Sequence, residues 1–222
     1  MKTKLPAILA LFTAALFALA GAAQAQEIKG DAAAGQKKNA MCIGCHGIPG
    51  YQASFPEIYK VPMIAGQNAK YIAASLAAYK KGERKHPTMR GISESLSEQD
   101  MADLAAFYET QGGARAAVPD APAAADAKAA ELLAKGACNT CHGANYNKPI
   151  DGSYPKLAGQ HADFLLAALK AYQVEKNPLV GRGNAIMAAQ AKQYSAAELK
   201  IIAKYLAALP GDLKTVPETK FR

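Results

Sequence analysis

An all-α chain of two similar units is what this sequence predicts, and three observations predict it. A segment near the start of the first half, "VPMIAGQNAKYIAASLAAYK" (61–80), returns as "YPKLAGQHADFLLAALKAYQ" (154–173) at a constant offset of 93. Its apolar positions, Tyr71, Ile72, Leu76 and Tyr79 against Phe164, Leu165, Leu169 and Tyr172, fall on one face of a helix. A second pair, "LSEQDMADLAAFYETQGG" (96–113) and "YSAAELKIIAKYLAALPG" (194–211), repeats at an offset of 98, and no stretch reads as a convincing strand.

The elements follow in chain order. Residues 1–25 lie outside the fold. Lys2 and Lys4 precede an apolar run from Leu5 to Ala20, and Ala23-Gln24-Ala25 fits a signal-peptidase site. The run is short for a membrane span and contains Pro6, so it reads as a cleaved export signal. Export from a bacterial cytoplasm places the remaining 197 residues in the periplasm. The first unit covers 26–112 and the second 126–211. Between them, 113–125 ("GARAAVPDAPAAA") is rich in Ala and Pro and reads as a linker. Residues 212–222 form a C-terminal tail. Each unit has a helix before its cysteine pair, a middle helix and a C-terminal helix. Ser97 with Asp100, and Ser195 with Glu198, have capping-box spacing at the start of the last helix. Gly112 and Pro210-Gly211 stop those helices.

The formal charge of +8 falls to +6 without Lys2 and Lys4. Such a surface can dock an acidic protein or an anionic membrane. The basic residues are scattered and no nucleic-acid module is present, so nucleic acid is not an expected partner.

All four cysteines belong to two motifs, "MCIGCHG" (41–47) and "ACNTCHG" (137–143). A zinc ribbon brings its two cysteine pairs closer together than the 93 positions from Cys45 to Cys138, and a thioredoxin-like dithiol needs a βαβ context that is absent. Cys-x-x-Cys-His supplies two thiols for thioethers to haem vinyl groups and an imidazole for the iron, which is c-type haem attachment. Two covalently bound haem c groups are therefore expected, on Cys42 and Cys45 and on Cys138 and Cys141, with His46 and His142 as axial ligands. Each unit has fewer than 90 residues and helices rich in small side chains, so a bulky apolar group would complete a thin core.

A sixth ligand needed in both units must recur. His86 aligns with Asn184 and His161 with Asn68, so both read as surface or hydrogen-bonding residues. Met41, Met63 and Met101 align with Ala137, Lys156 and Leu199. Only Met89 meets a methionine, Met187, and a His/Met pair raises a haem's reduction potential. Arg84 and Arg182 each lie five residues before those methionines, where a guanidinium suits a haem propionate. The carbonyls of Pro62 and Pro155 are expected to meet the other nitrogen of each axial histidine.

With these motifs, the "AGQ" segments, and a Leu-Ser or Tyr-Ser helix start seven residues after each methionine, nearly all of the exported chain resembles the dihaem cytochromes c of the cytochrome c4 type. The resemblance implies two tandem class I cytochrome c domains related by a pseudo-twofold axis, with propionate edges approaching across the interface. It implies periplasmic electron transfer toward terminal oxidases, with redox partners of the membrane oxidase or quinol-cytochrome c reductase type and loose peripheral membrane association. Two departures stand out. The family's glycine seven residues before the first cysteine is Gly35 in unit one but Glu131 in unit two, where the helix is expected to shift register onto Ala130. Unit two also has five extra residues between Tyr172 and Arg182.

A carrier with both irons six-coordinate is the first reading, with no catalytic residue. The second is a dihaem enzyme, a peroxidase or thiosulfate dehydrogenase, which requires an open or displaceable axial position. The third is a dedicated cytochrome subunit of a periplasmic dehydrogenase, which the sequence hardly separates from a free carrier.

Overall fold

The computed structural model describes residues 28–112 and 118–217. The export signal at 1–25, the first part of the linker and the end of the tail lie outside the described residues. The described residues are helical with two very short ladders, which the sequence pattern does not announce.

Among the described residues unit one holds five helices. Helix α1 (Ala32–Lys38) is capped by Asp31, whose carboxylate accepts from the Ala33 and Ala34 N–H groups at 2.8 and 3.2 Å. Helix α2 (Ala40–His46) carries the first cysteine motif. Helix α3 (Ala69–Lys81) ends at Gly82, and α4 (Pro87–Glu94) opens with proline, whose missing N–H costs nothing there. Helix α5 (Glu98–Thr110) starts in a capping box of Ser97 and Asp100. Unit two repeats the order with α6 (Ala127–Lys135), α7 (Asn139–His142), α8 (Ala162–Gln173), α9 (Ala185–Ala191) and α10 (Ala196–Ala208), the last with its own Ser195–Glu198 box.

Each unit buries its own core. Ile72, Leu96, Met101, Leu104 and Phe107 form the first, and Leu132, Leu165, Leu199, Ile202 and Leu206 the second. In unit one α1 crosses α5 in backbone contact, because a Cβ at Gly35 would lie 2.1 Å from the Asp103 carbonyl oxygen. Unit two solves the same crossing differently, and the expected register is corrected. Ala130 is exposed, and the fully buried small residue of α6 is Ala129, flanked inward by Leu132 and Leu133. Glu131 faces out and pairs with Lys128 at 2.9 Å.

The two ladders are β1 (Gln52–Ala53) with β2 (Tyr59–Lys60), and β3 (Arg84–Lys85) with β4 (Gly181–Arg182), both antiparallel. The second joins the units, with Arg84 opposite Arg182. A further exchange of bonds holds the interface. Gln67 Nε2 donates to the Lys156 carbonyl at 3.0 Å, and its Oε1 accepts from Lys156 N–H at 2.8 Å. Gln160 bonds Met63 in the same way, at 2.9 and 3.0 Å. Such reciprocity is what an approximate twofold axis between the units produces.

The segment after α10 does not hang free. Leu213 is fully buried, Lys214 N–H donates to the Ala65 carbonyl of unit one at 3.1 Å, and Val216 packs on the core of unit one. The linker in turn lies on unit two, where Asn145 donates to the Pro119 carbonyl at 3.0 Å and Tyr205 to the Ala123 carbonyl at 2.8 Å. Val118-Pro119-Asp120 and Val216-Pro217-Glu218 are themselves 98 apart, so the repeat runs past both last helices.

Candidate functional site

Helix α2 presents Cys42, Cys45 and His46 from one surface, and Cys138, Cys141 and His142 come from α7 and the residue before it. The four cysteines are free thiols of intermediate exposure. Burial pushes the Cys42 thiol up to about 11 and the Cys138 thiol upward as well.

The histidines are set as the sequence leads one to expect. His46 Nδ1 lies 2.9 Å from the Pro62 carbonyl and His142 Nδ1 lies 3.0 Å from that of Pro155. A carbonyl only accepts, so Nδ1 carries the proton and Nε2 keeps its lone pair. Burial lowers the pKa of both rings, which favours the neutral, metal-binding form.

A single cavity of about 560 Å³ runs through both units. Cys42, His46 and Met89 line its first half, and Cys138, His142 and Met187 line the second. The backbone under each methionine is held from the residue three before it. Met89 N–H donates to His86 Nδ1 at 3.4 Å and Met187 N–H to Asn184 Oδ1 at 2.9 Å. His86 and Asn184 are therefore matched N-caps of α4 and α9. His161 and Asn68 are matched as well, at the starts of α8 and α3. Met101 is core and Met41 is half exposed, while Met63 is buried with its backbone gripped by Gln160.

Arg84 and Arg182 line the same cavity. Arg84 Nη1 donates to Ser75 Oγ at 2.6 Å and Tyr71 Oη at 3.2 Å, and its guanidinium lies 5.0 Å from the Tyr79 ring centroid. Its Nε is buried without a hydrogen-bond partner among the described residues. Burial raises the Tyr71 hydroxyl, but the positive charges of Arg84 and Arg182 and the hydrogen bonds from Arg84 and Ser75 together outweigh it and leave the pKa at about 8. Arg182 stacks near Phe164 and Tyr172 at 5.5 and 5.4 Å. Phe164 and Ala168 occupy the places of Tyr71 and Ser75, so unit two lacks those hydroxyls.

This donor set fits haem c twice. The cavity offers paired thiols, an oriented imidazole and a thioether per half, and the bare Arg84 Nε marks a place for an anionic oxygen. Sequence reasoning missed the glutamine clasp, the Arg84–Arg182 ladder and the hydroxyls beside Arg84. The recurrence of glutamine in both "AGQ" segments was the available signal for the first.

The comparisons with known proteins agree. The cytochrome c family model matches residues 32–111 and again 127–210. Cytochrome c4 of Azotobacter vinelandii is 32% identical over 200 residues, covering 81% of this chain and 90% of its own. The chain belongs to the cytochrome c4 family. The crystal structure of reduced recombinant cytochrome c4 from Pseudomonas stutzeri superposes with a TM-score of 0.62 at 28% identity, covering 82% of this chain and all of that one. A thiosulfate dehydrogenase electron acceptor of Stutzerimonas stutzeri is 31% identical, covering 75% of this chain and 77% of its own. This cytochrome is thus an all-α, dihaem electron-transfer protein with two haem c groups, and its cysteines at 42/45 and 138/141 fit their attachment. Among the described residues no helix is long and apolar enough to cross a membrane.

Proposed function

We propose that the chain is a periplasmic electron carrier, with haem units over 26–112 and 126–211, in which neither iron offers a site to substrate. Cys42 and Cys45 would hold one group and Cys138 and Cys141 the other, with His46 and Met89, and His142 and Met187, as the side chains that would bind the two irons. The observation that carries this reading is the matched recurrence of each donor around one cavity. When bound, haem supplies one-electron exchange between ferric and ferrous iron. The protein's part is to orient and to exclude water. The Pro62 and Pro155 carbonyls fix the two imidazoles, and the capped starts of α4 and α9 fix the methionine backbones. Arg84 and Arg182 would neutralise propionates, and the apolar walls would keep water away from the group. Electrons pass to and from redox proteins of the membrane oxidase or quinol-cytochrome c reductase type, with peripheral contact at the membrane.

The test is spectroscopic. A pyridine haemochrome assay is expected to return two haem c per chain, and the ferric near-infrared spectrum a methionine-ligation band of two-haem intensity. Met187→Ala is expected to open one iron to cyanide and leave the other low-spin. A native protein with one high-spin haem, or one that turns over peroxide or thiosulfate, would overturn the carrier reading in favour of an enzyme. A second reading rests on the relative named as an acceptor for thiosulfate dehydrogenase, namely service as the dedicated acceptor of one periplasmic dehydrogenase. Co-purification with such an enzyme favours it over a free carrier.

A further inference from the structure

The strap formed by residues 212–217 starts on unit two and finishes beside the histidine of unit one. Asp212 is anchored on unit two, where its carboxylate accepts from Lys156 Nζ at 2.9 Å and Asn147 Nδ2 at 3.0 Å, and its N–H donates to Asn147 Oδ1 at 2.9 Å. Its carbonyl passes against Gly66. That residue has φ +85°, and a Cβ there would come within 2.6 Å of the Asp212 oxygen, so only glycine admits the strap. Lys214 then pairs with Ala65, and Val216 reaches the outer side of His46. There Val216, Ile43, His46 and Tyr108 help to enclose a residual space of about 10 Å³, at the lower limit of what a water molecule needs. Val216 and His46 are both walls of that space.

We infer that this strap is a positioning element for the haem of unit one, in which Val216 keeps the outer side of His46 dry so that the end of the second unit sets the potential of the first. The inference rests on His46 being an axial ligand. Its physical basis is charge. Ferric iron carries one more positive charge than ferrous iron, so water admitted beside its ligand favours the ferric state and lowers the midpoint. Val216 touches His46's surroundings rather than the iron, and its effect passes through that side chain.

The experiment is a redox titration of the holoprotein with Val216→Ser and Val216→Ile. Val216→Ser is expected to lower one of the two midpoints and leave the other in place. A shift of roughly tenfold in the ferrous/ferric ratio would appear as about 59 mV for a one-electron couple. Val216→Ile keeps the side apolar and is expected to retain both wild-type midpoints. The midpoint that moves is expected to be the one that Met89→Ala also moves. If Val216→Ser loads poorly, Val216→Thr keeps the shape while adding a hydroxyl, and is read by the same criterion. A folded dihaem variant in which neither midpoint moves, or both move equally, overturns the proposal. Should Met89→Ala move neither midpoint, the ligand reading fails instead, and the strap is still judged by whether Val216→Ser moves one midpoint alone.

Discussion

Gln67 and Gln160 stand 93 residues apart and exchange the same pair of hydrogen bonds across the interface, each gripping the backbone of the residue that follows the other unit's proline by one position. The two bonds made by Gln160 are buried, whereas those of Gln67 are partly exposed. Gln160→Leu leaves the Met63 N–H and carbonyl without partners in a dry place and is expected to cost about 3 kcal/mol. Gln67→Leu lets water replace what is lost and is expected to cost about 1 kcal/mol. Urea unfolding of the two variants checks the order, and equal costs would contradict it.

The bare Nε of Arg84 leads to a second expectation. Removing that cation stabilises ferric iron in unit one, so Arg84→Gln lowers that haem's midpoint, by roughly threefold to tenfold in the ferrous/ferric ratio. Arg84→Lys preserves the charge and moves it less. Potentiometry of both variants, with the second haem as internal reference, decides the matter. An upward shift for Arg84→Gln would remove the arginine from its assigned place.

The caps under the methionines differ in strength. Asn184 Oδ1 accepts from Met187 N–H at 2.9 Å, while His86 Nδ1 lies 3.4 Å from Met89 N. Asn184→Ala is expected to cost about 1 kcal/mol and to speed cyanide binding at the ferric haem of unit two. His86→Ala is expected to have the smaller effect at unit one. Stopped-flow binding rates for the two variants provide the comparison.

Acid acts on the crossing of α1 and α5. Asp103 is buried there and accepts from Lys38 Nζ at 2.6 Å, Asp31 N–H at 2.8 Å and Gln99 Nε2 at 2.7 Å. Lys38 first, and then the Asp31 N–H, hold its carboxyl below the usual range. A carboxylate pKa depressed by folding contributes stability that is present above the unfolded value of about 3.9 and is lost as pH falls through the folded value. Asp103→Asn is therefore expected to be less stable at neutral pH yet to lose less on going from pH 5 to pH 2. Thermal unfolding across that range tests the slope.

What the sequence announced was mostly local. Both capping boxes lie where Ser97 and Ser195 indicated, since a cap needs only four neighbouring residues. The proline carbonyls meet the histidines because a turn of fixed form leads into each middle helix. Ala129 in place of Ala130 shows the limit. Which small residue faces α10 depends on how a helix rotates against a distant partner, and one motif's spacing does not carry that. The same holds for Arg84 opposite Arg182 and for the glutamine clasp, whose partners are set by how two whole units dock. The strap was hidden for another reason. Val-Pro followed by an acid is too short a repeat to notice beside an Ala/Pro-rich linker, and its second copy looks like a frayed end.

The crossing of chain ends has a practical side. Val216 completes the core of unit one, and the linker from Pro119 to Ala123 lies along unit two, so each half wears a piece of chain that continues from the other. A nick within 113–117 would cut the covalent thread but leave the strap, the clasp and the arginine ladder in place. The two fragments are then partners of each other, able to travel as one particle after cleavage. Unit one made alone would lack the valine that closes it, and unit two made alone would carry an unclaimed end whose seat is a separately made unit one.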